Sequence, residues 1–265
     1  MKFISPGGWF SLEYPATWTE FEDSEGTFLF YNPNKWNGNF RISAFRIKGN
    51  AQQYVKQELK SSQKTASIRI GEWDCAYSIM DFEDEGTPYT SHFWVTGKSD
   101  VCIECSFTVA KGGNRLPAEE VIRSLKLRTG KEPMECIPIR LLEICEVNEA
   151  FEWVSSTIKK TLSKAFSGQE EDIEKLQALV TSGKLKDQPT TWESIGLALG
   201  VIMENEMDGM EWVTVIDGNK EYPALRFRDL LVNPAQSISS CVKQKQALDL
   251  KAEFDNVKSE VEKRL

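Results

Sequence analysis

The chain is poor in the residues that most often carry chemistry. Its 265 residues include a single histidine, His92, so a serine or cysteine triad would have only that imidazole as its base. No nucleophile elbow accompanies it. No stretch approaches the ~20 apolar residues that a membrane-spanning helix needs. The start, Met1 to Gly8, lacks the apolar run of a secretory signal. There is no basic excess either. The net charge is -8 and the pI ≈ 5.0, which disfavours nucleic acid and anionic membrane surfaces as partners. Internal repeats and low-complexity tracts are missing. These absences lead us to expect a cytoplasmic protein with reduced cysteines, no cofactor and no metal, and they lean away from an enzyme.

What is present describes a folded chain. A 40% hydrophobic and 27% charged composition is that of a globular protein. Eight tryptophans and 14 phenylalanines provide core area. The length suits about two domains. The acidic excess is uneven: residues 1–130 carry a net -1 and residues 131–265 a net -7. We place the boundary in Arg128–Pro133, predicting an α+β domain over 1–130 and a mostly helical α+β domain over 131–265.

In the first half, Phe10, Leu12 and Tyr14 alternate before Pro15. Strands are predicted over 27–31, 40–47, 66–70, 73–82, 89–96 and 101–110. Helices are predicted over 51–63 and 118–127, flanking an antiparallel sheet. In the second half, helical spacing covers 139–166. Ser167 with Glu170 and Thr190 with Glu193 have capping-box spacing before helices at 169–182 and 191–206. A hairpin spans 211–227, and one long helix runs from about Ala235 to the end. Its stripe of Leu250, Phe254, Val257, Val261 and Leu265 suits packing on its own domain; a dimer through it is the second expectation.

Phe10-Ser11-Leu12-Glu13-Tyr14-Pro15-Ala16-Thr17-Trp18, followed by a strand pair through Phe40–Ser43, the helix at 51–63 and a closing helix at 118–127, resembles the PsbP-like superfamily. That resemblance covers the first half and implies a sheet flanked by helices. Its characterised members include a photosystem extrinsic subunit, a Ran-binding import factor and adaptor chaperones for secreted bacterial effectors, so it implies non-catalytic work. The whole chain also resembles a bacterial pairing of two domains of unknown function. In the second half this rests on Ile195–Gly200, Met210–Val213 and Pro223–Arg226.

Site candidates are few. His92 and Trp94 share a sheet face in Tyr89–Trp94, where a structural histidine is the commoner outcome. Cys102-x-x-Cys105 lies on a predicted strand, so the two sulfurs point to opposite faces, which suits neither a redox pair nor a zinc knuckle. Asp81–Gly86 lacks the alternation of a calcium loop and reads as a solvated turn. Lys111–Arg115 lacks the order of a phosphate-binding loop. Gly196 and Gly200, one helical turn apart, suit close helix packing. Trp36, in a polar turn without an obvious core, is the best recognition candidate. Trp36, Trp94 and His92 are therefore the candidate binding residues for a protein or peptide partner. Two alternatives stay open: a hydrolase with a carboxylate site between the domains, and an immunity-like or ligand-sensing protein, suggested by the acidic second half.

Overall fold

The computed structural model describes residues 1–24 and 26–265. The chain divides into two compact units, 1–133 and 134–265.

The first unit opens with β1 (Lys2–Ile4), β2 (Phe10–Glu13), β3 (Thr19–Ser24), β4 (Thr27–Tyr31) and β5 (Asn39–Arg46), followed by α1 (Ala51–Ser61). Then come β6 (Ala66–Ile70), β7 (Trp73–Asp84), β8 (Thr87–Lys98), β9 (Val101–Ala110), α2 (Leu116–Ser124) and β10 (Lys126–Leu127). A seven-stranded antiparallel sheet runs β3-β4-β5-β9-β8-β7-β6, and a three-stranded one runs β1-β2-β10. Strand alternation sorts the large sheet's side chains between two faces. Phe30, Phe40, Phe107, Trp94 and Trp73 face one core, which they share with Phe3, Phe10 and Leu12 of the small sheet and Val121 and Ile122 of α2. Trp18 stacks on Phe107 with ring centroids 5.9 Å apart, so the aromatic after the Tyr14-Pro15 break seals this layer. Helix α1 packs on the opposite face, against β7, β8 and β9. Gly97 permits that approach: a Cβ there would lie 2.7 Å from the Ala51 Cβ.

The predicted helix over 118–127 ends earlier. Ser124 is its last residue, Leu125 turns inward to full burial, and Lys126–Leu127 pair with Ser11 and Phe10. Burial of Leu125 fixes that exit. The strands β1 and β3 were not predicted; both are short and lack clean alternation.

The second unit contains β11 (Glu135–Pro138), α3 (Leu141–Leu162), α4 (Asp172–Thr181), α5 (Pro189–Glu206), β12 (Glu211–Asp217), β13 (Lys220–Phe227), β14 (Leu230–Val232), α6 (Pro234–Lys243) and α7 (Leu250–Glu262). The expected hairpin is the centre of a four-stranded sheet, β11-β12-β13-β14. Its core gathers Val154 and Ile158 of α3, Leu176 of α4, Ile195 and Ile202 of α5 and Phe254 of α7. Gly196 and Gly200 allow close packing. A Cβ would meet the Ala235 Cα at 2.5 Å from the first and the Trp212 ring at 2.5 Å from the second.

Three expectations are corrected here. The predicted single C-terminal helix is two, α6 and α7. Lys245 takes a left-handed φ of 55°, and the Gln177 side chain holds the connection by donating to the Leu248 carbonyl and accepting from the Leu250 N–H. The α7 stripe Leu250, Phe254, Val257 and Val261 is buried in its own unit's core, while Leu265 is exposed. Neither capping box forms. Asp172 accepts from the backbone N–H groups of Ser167 and Gly168 and pairs with Lys175, whereas Glu170 reaches Lys251 and Lys258. Helix α5 starts one residue before Thr190, at Pro189, where the missing N–H costs nothing.

Candidate functional site

The candidate site is an aromatic row on the α1 side of the large sheet, at the end that α1 does not cover. The polar turn before β5 sets its first member. Asn32 Oδ1 accepts from the N–H groups of Asn34 and Lys35, and Gly38 passes under Phe107 at φ 130°, where a Cβ would lie 2.3 Å from the Phe107 Cζ. Only glycine fits that approach. Trp36 therefore stands on the surface, 43% exposed, with its indole N–H donating to Asn39 Oδ1 at 2.7 Å. Its ring meets Tyr89 edge-on at 6.0 Å. Tyr89 stacks on Phe82 at 5.5 Å, its cross-strand partner in the β7–β8 register. Met80, two residues before Phe82 on the same strand face, is 51% exposed. Trp36, Tyr89, Phe82 and Met80 thus form a continuous apolar surface running across the sheet to β7. Beyond it lies the hairpin tip Glu85-Gly86, a two-residue turn with φ 47° and 78°, flanked by Glu83 and Asp84. Among the described residues no ion pair engages Glu83, Asp84 or Glu85.

His92 and Trp94 sit elsewhere. They occupy alternate positions from Tyr89 on β8, so their side chains enter the core on the α2 side. Trp94 is fully buried and His92 is 7% exposed. The structure brings these two together, with rings stacked at 5.9 Å, but brings neither to Trp36. The sequence pattern could not reveal this, because β8 is buried on both faces over 90–92. Arg115 donates to the Tyr77 hydroxyl, and that hydroxyl shares a hydrogen bond of 2.7 Å with His92 Nδ1. Burial, and then the Arg115 charge, hold His92 below its ordinary value, so it is neutral at pH 7. Arg115 is anchored in turn by Glu119 at 2.8 Å. The neighbouring Ser91 hydroxyl lies on the other sheet face, where it bonds Thr108 at 2.7 Å.

The buried cysteines are equally unsuited to nucleophilic work. Burial pushes the Cys75 thiol up to about 11 and raises Cys105 as well. Cys102 and Cys105 are both buried, with only Cys105 in the α2-side core. Among the described residues no three His, Cys, Asp or Glu side chains converge as a metal site requires, and no helix is long and apolar enough to cross a membrane.

The second unit holds two further features that sequence reasoning missed. Arg140, 1% exposed, donates from Nε and Nη2 to both oxygens of Glu143 and from Nη2 to Glu221. Thr214 completes the cluster by donating to Glu143 Oε2 and accepting from the Arg140 N–H. The cluster joins α3 to β12 and β13, a distance in sequence that no local spacing signals. A cavity of about 850 Å³ beside α4 is edged by Glu170, Glu171, Glu174 and Asp249, over Ile173 and Leu248. Lys251 and Lys258 neutralise Glu170 there. Burial raises two carboxyls in this unit, Glu146 and Glu204. Glu204 lines a cavity of about 440 Å³ that Glu146 does not reach.

Comparisons with known proteins find two family models, one after the other along the chain. Residues 1–148 match a family model described as a domain of unknown function, DUF3805, and residues 172–254 match another, DUF3806. No curated protein matches. A crystal structure of a protein from Bacteroides thetaiotaomicron is similar along nearly the whole length, with 48% identity, 97% of each chain covered and a TM-score of 0.95. PsbP-like proteins are among the structural neighbours of the first half. Cyanobacterial PsbP from Synechocystis shares 13% identity over 48% of this chain and 92% of its own, at a TM-score of 0.27. LpqN of Mycobacterium tuberculosis, described as involved in cell envelope biogenesis, shares 13% over 49% and 91%, at 0.32. The first family model spans more than half of the residues, and the chain belongs to that family, DUF3805.

Proposed function

We propose that this protein is a non-catalytic protein- or peptide-binding module of the cytoplasm, adaptor-like in its work, that engages its partner through the Trp36–Tyr89–Phe82 row. The observation that carries this reading is the exposure of three large apolar side chains in one place: Trp36 at 43%, Met80 at 51% and Phe82 at 38%. Keeping them in water forgoes the burial energy that the rest of the aromatic complement gains. Tryptophan, tyrosine, phenylalanine and methionine are also the residues enriched at protein interfaces. Carboxylate chemistry has less support, because Glu146 is not among the residues lining the cavity beside Glu204 and His92 lies in the core.

Photocrosslinking tests the reading. A photoreactive phenylalanine analogue replaces Trp36 or Met80, with Trp153 of the second unit, 39% exposed, as the control position. The expected result is one common adduct from positions 36 and 80, abolished by Phe82→Ala and absent from 153. The same adduct from position 153, or its survival in Phe82→Ala, would remove the proposal.

A further inference from the structure

The large sheet is open along part of one edge. Strand β6 pairs only with Trp73–Tyr77 of β7, yet β7 continues to Asp84 in register with β8. Among the described residues no strand lies outside Ser78–Asp84. The direction of the free backbone groups follows from the hairpin. Asp84 and Thr87 close a two-residue turn as a hydrogen-bonded pair, and pairing then alternates along an antiparallel ladder. Glu83, Asp81 and Ile79 fall at the alternate positions, so their N–H and C=O groups point away from β8. The Pro88 carbonyl, opposite Glu83, confirms the phase, since it accepts from Lys111 N–H on the far side of β8 at 3.0 Å. This is a row of unpaired donors and acceptors, the template that strand addition uses.

The side chains along this edge state what would fit. Even-numbered Met80 and Phe82 lie on the aromatic-row face, and odd-numbered Asp81 and Glu83 lie on the other. Lys111 already serves Asp81 at 3.3 Å, whereas among the described residues no cation pairs with Glu83, Asp84 or the turn residue Glu85. A second copy pairing antiparallel through the same residues would set acid against acid, an arrangement that blunts self-association. We propose that Ser78–Asp84 of β7 is a strand-addition site for an extended partner segment in which cationic residues alternate with apolar ones. The apolar residues of that segment continue the aromatic row beside Phe82 and Met80. Its lysines or arginines face Glu83 and Asp81, and its backbone pairs with Ile79, Asp81 and Glu83. This rests on the binding role proposed above and adds the partner's chemistry and its mode of docking.

The test titrates the full chain with a short alternating lysine–valine peptide, read by amide resonances and hydrogen exchange. The amides of Ile79, Asp81 and Glu83 are expected to shift and to exchange more slowly. A copy of the peptide N-methylated at alternate residues should bind at least about tenfold more weakly, since three net hydrogen bonds are lost. A glutamate–valine peptide should not bind, and Glu83→Lys, at an exposed position, should invert that preference. Shifts confined to Trp36 and Tyr89, with the edge amides unprotected, would overturn the strand addition and leave the aromatic row standing. Edge protection unchanged in Trp36→Ala and Phe82→Ala would leave the edge and discard the row. No response from any of these residues would overturn both. Self-association of the free protein through the β7 amides would overturn the proposed partner by assigning the edge to a second copy.

Discussion

Replacing Glu143 with leucine removes the two hydrogen bonds it accepts from the Arg140 fork and the acceptor for the Thr214 hydroxyl. Arg140 is 1% exposed, so its charge cannot recover water, although Glu221 still answers it. Breaking a buried pair in this way costs about 3–5 kcal/mol. Because Glu221 survives, we expect the lower end, about 3 kcal/mol. With a urea slope of roughly 1.5 kcal/mol/M for a unit of this size, the midpoint of the second unit should fall by about 2 M. Unfolding is best followed by resonances assigned to each unit, because two units need not melt together. Removing the arginine as well, in Arg140→Met with Glu143→Leu, should recover most of the loss, since an apolar pair of similar volume replaces the two most buried charges and Glu221 is partly exposed. A single variant within 1 kcal/mol of the parent, or a double variant as unstable as the single one, would refute the reasoning.

Other consequences follow from the same geometry. His92 has a depressed pKa in the folded state, so the unfolded chain takes up its proton first, near 6.5. The first unit should therefore lose stability as pH falls from about 6.5 towards the folded value, and His92→Phe should flatten that part of a stability–pH curve measured in denaturant. For Asp172, burial pushes the pKa up but Lys175 and the Ser167 and Gly168 bonds outweigh it, leaving it lowered. Its contribution is present above about 4 and is lost as pH falls through the folded value; Asp172→Asn should lower second-unit stability at pH 7 but not at the acid end of the titration. Thiol titration should find Cys145, which is exposed, reacting first, and the buried Cys75, Cys102 and Cys105 reacting only on unfolding. Rapid reaction of all six would contradict the burial. Gly200→Ala should destabilise the second unit by about 1–3 kcal/mol, because the added Cβ would lie 2.5 Å from the Trp212 ring, which must shift, and an unchanged melting curve would count against that packing.

The parts of this fold legible in the sequence were those with local causes. Val101–Ala110 reads as a strand because its apolar side chains alternate, and β9 has those bounds. Leu250, Phe254, Val257 and Val261 recur at helical spacing and do line one buried face. What escaped was set at long range. Lys126–Leu127 are strand because Ser11 and Phe10 lie beside them, and Gln177, 73 residues away, holds the segment before α7 by accepting from the Leu250 N–H. The site was half legible. A tryptophan in a polar turn drew attention to Trp36, and its exposure follows from that turn. Phe82 and Tyr89 belonged to unremarkable strands, and only the β7–β8 register places them next to one another and next to Trp36. His92 and Trp94 had attracted notice through their rarity and size, which say nothing of the face they occupy.

The most direct measurement is the affinity of the photocrosslinked partner, once identified, for the parent protein and for Trp36→Ala, with the fold of each confirmed by its amide spectrum. The account predicts a loss of at least about 30-fold, the scale of an interface anchor of roughly 2 kcal/mol. Affinity retained within about twofold, with the spectrum unchanged away from Trp36, would contradict it.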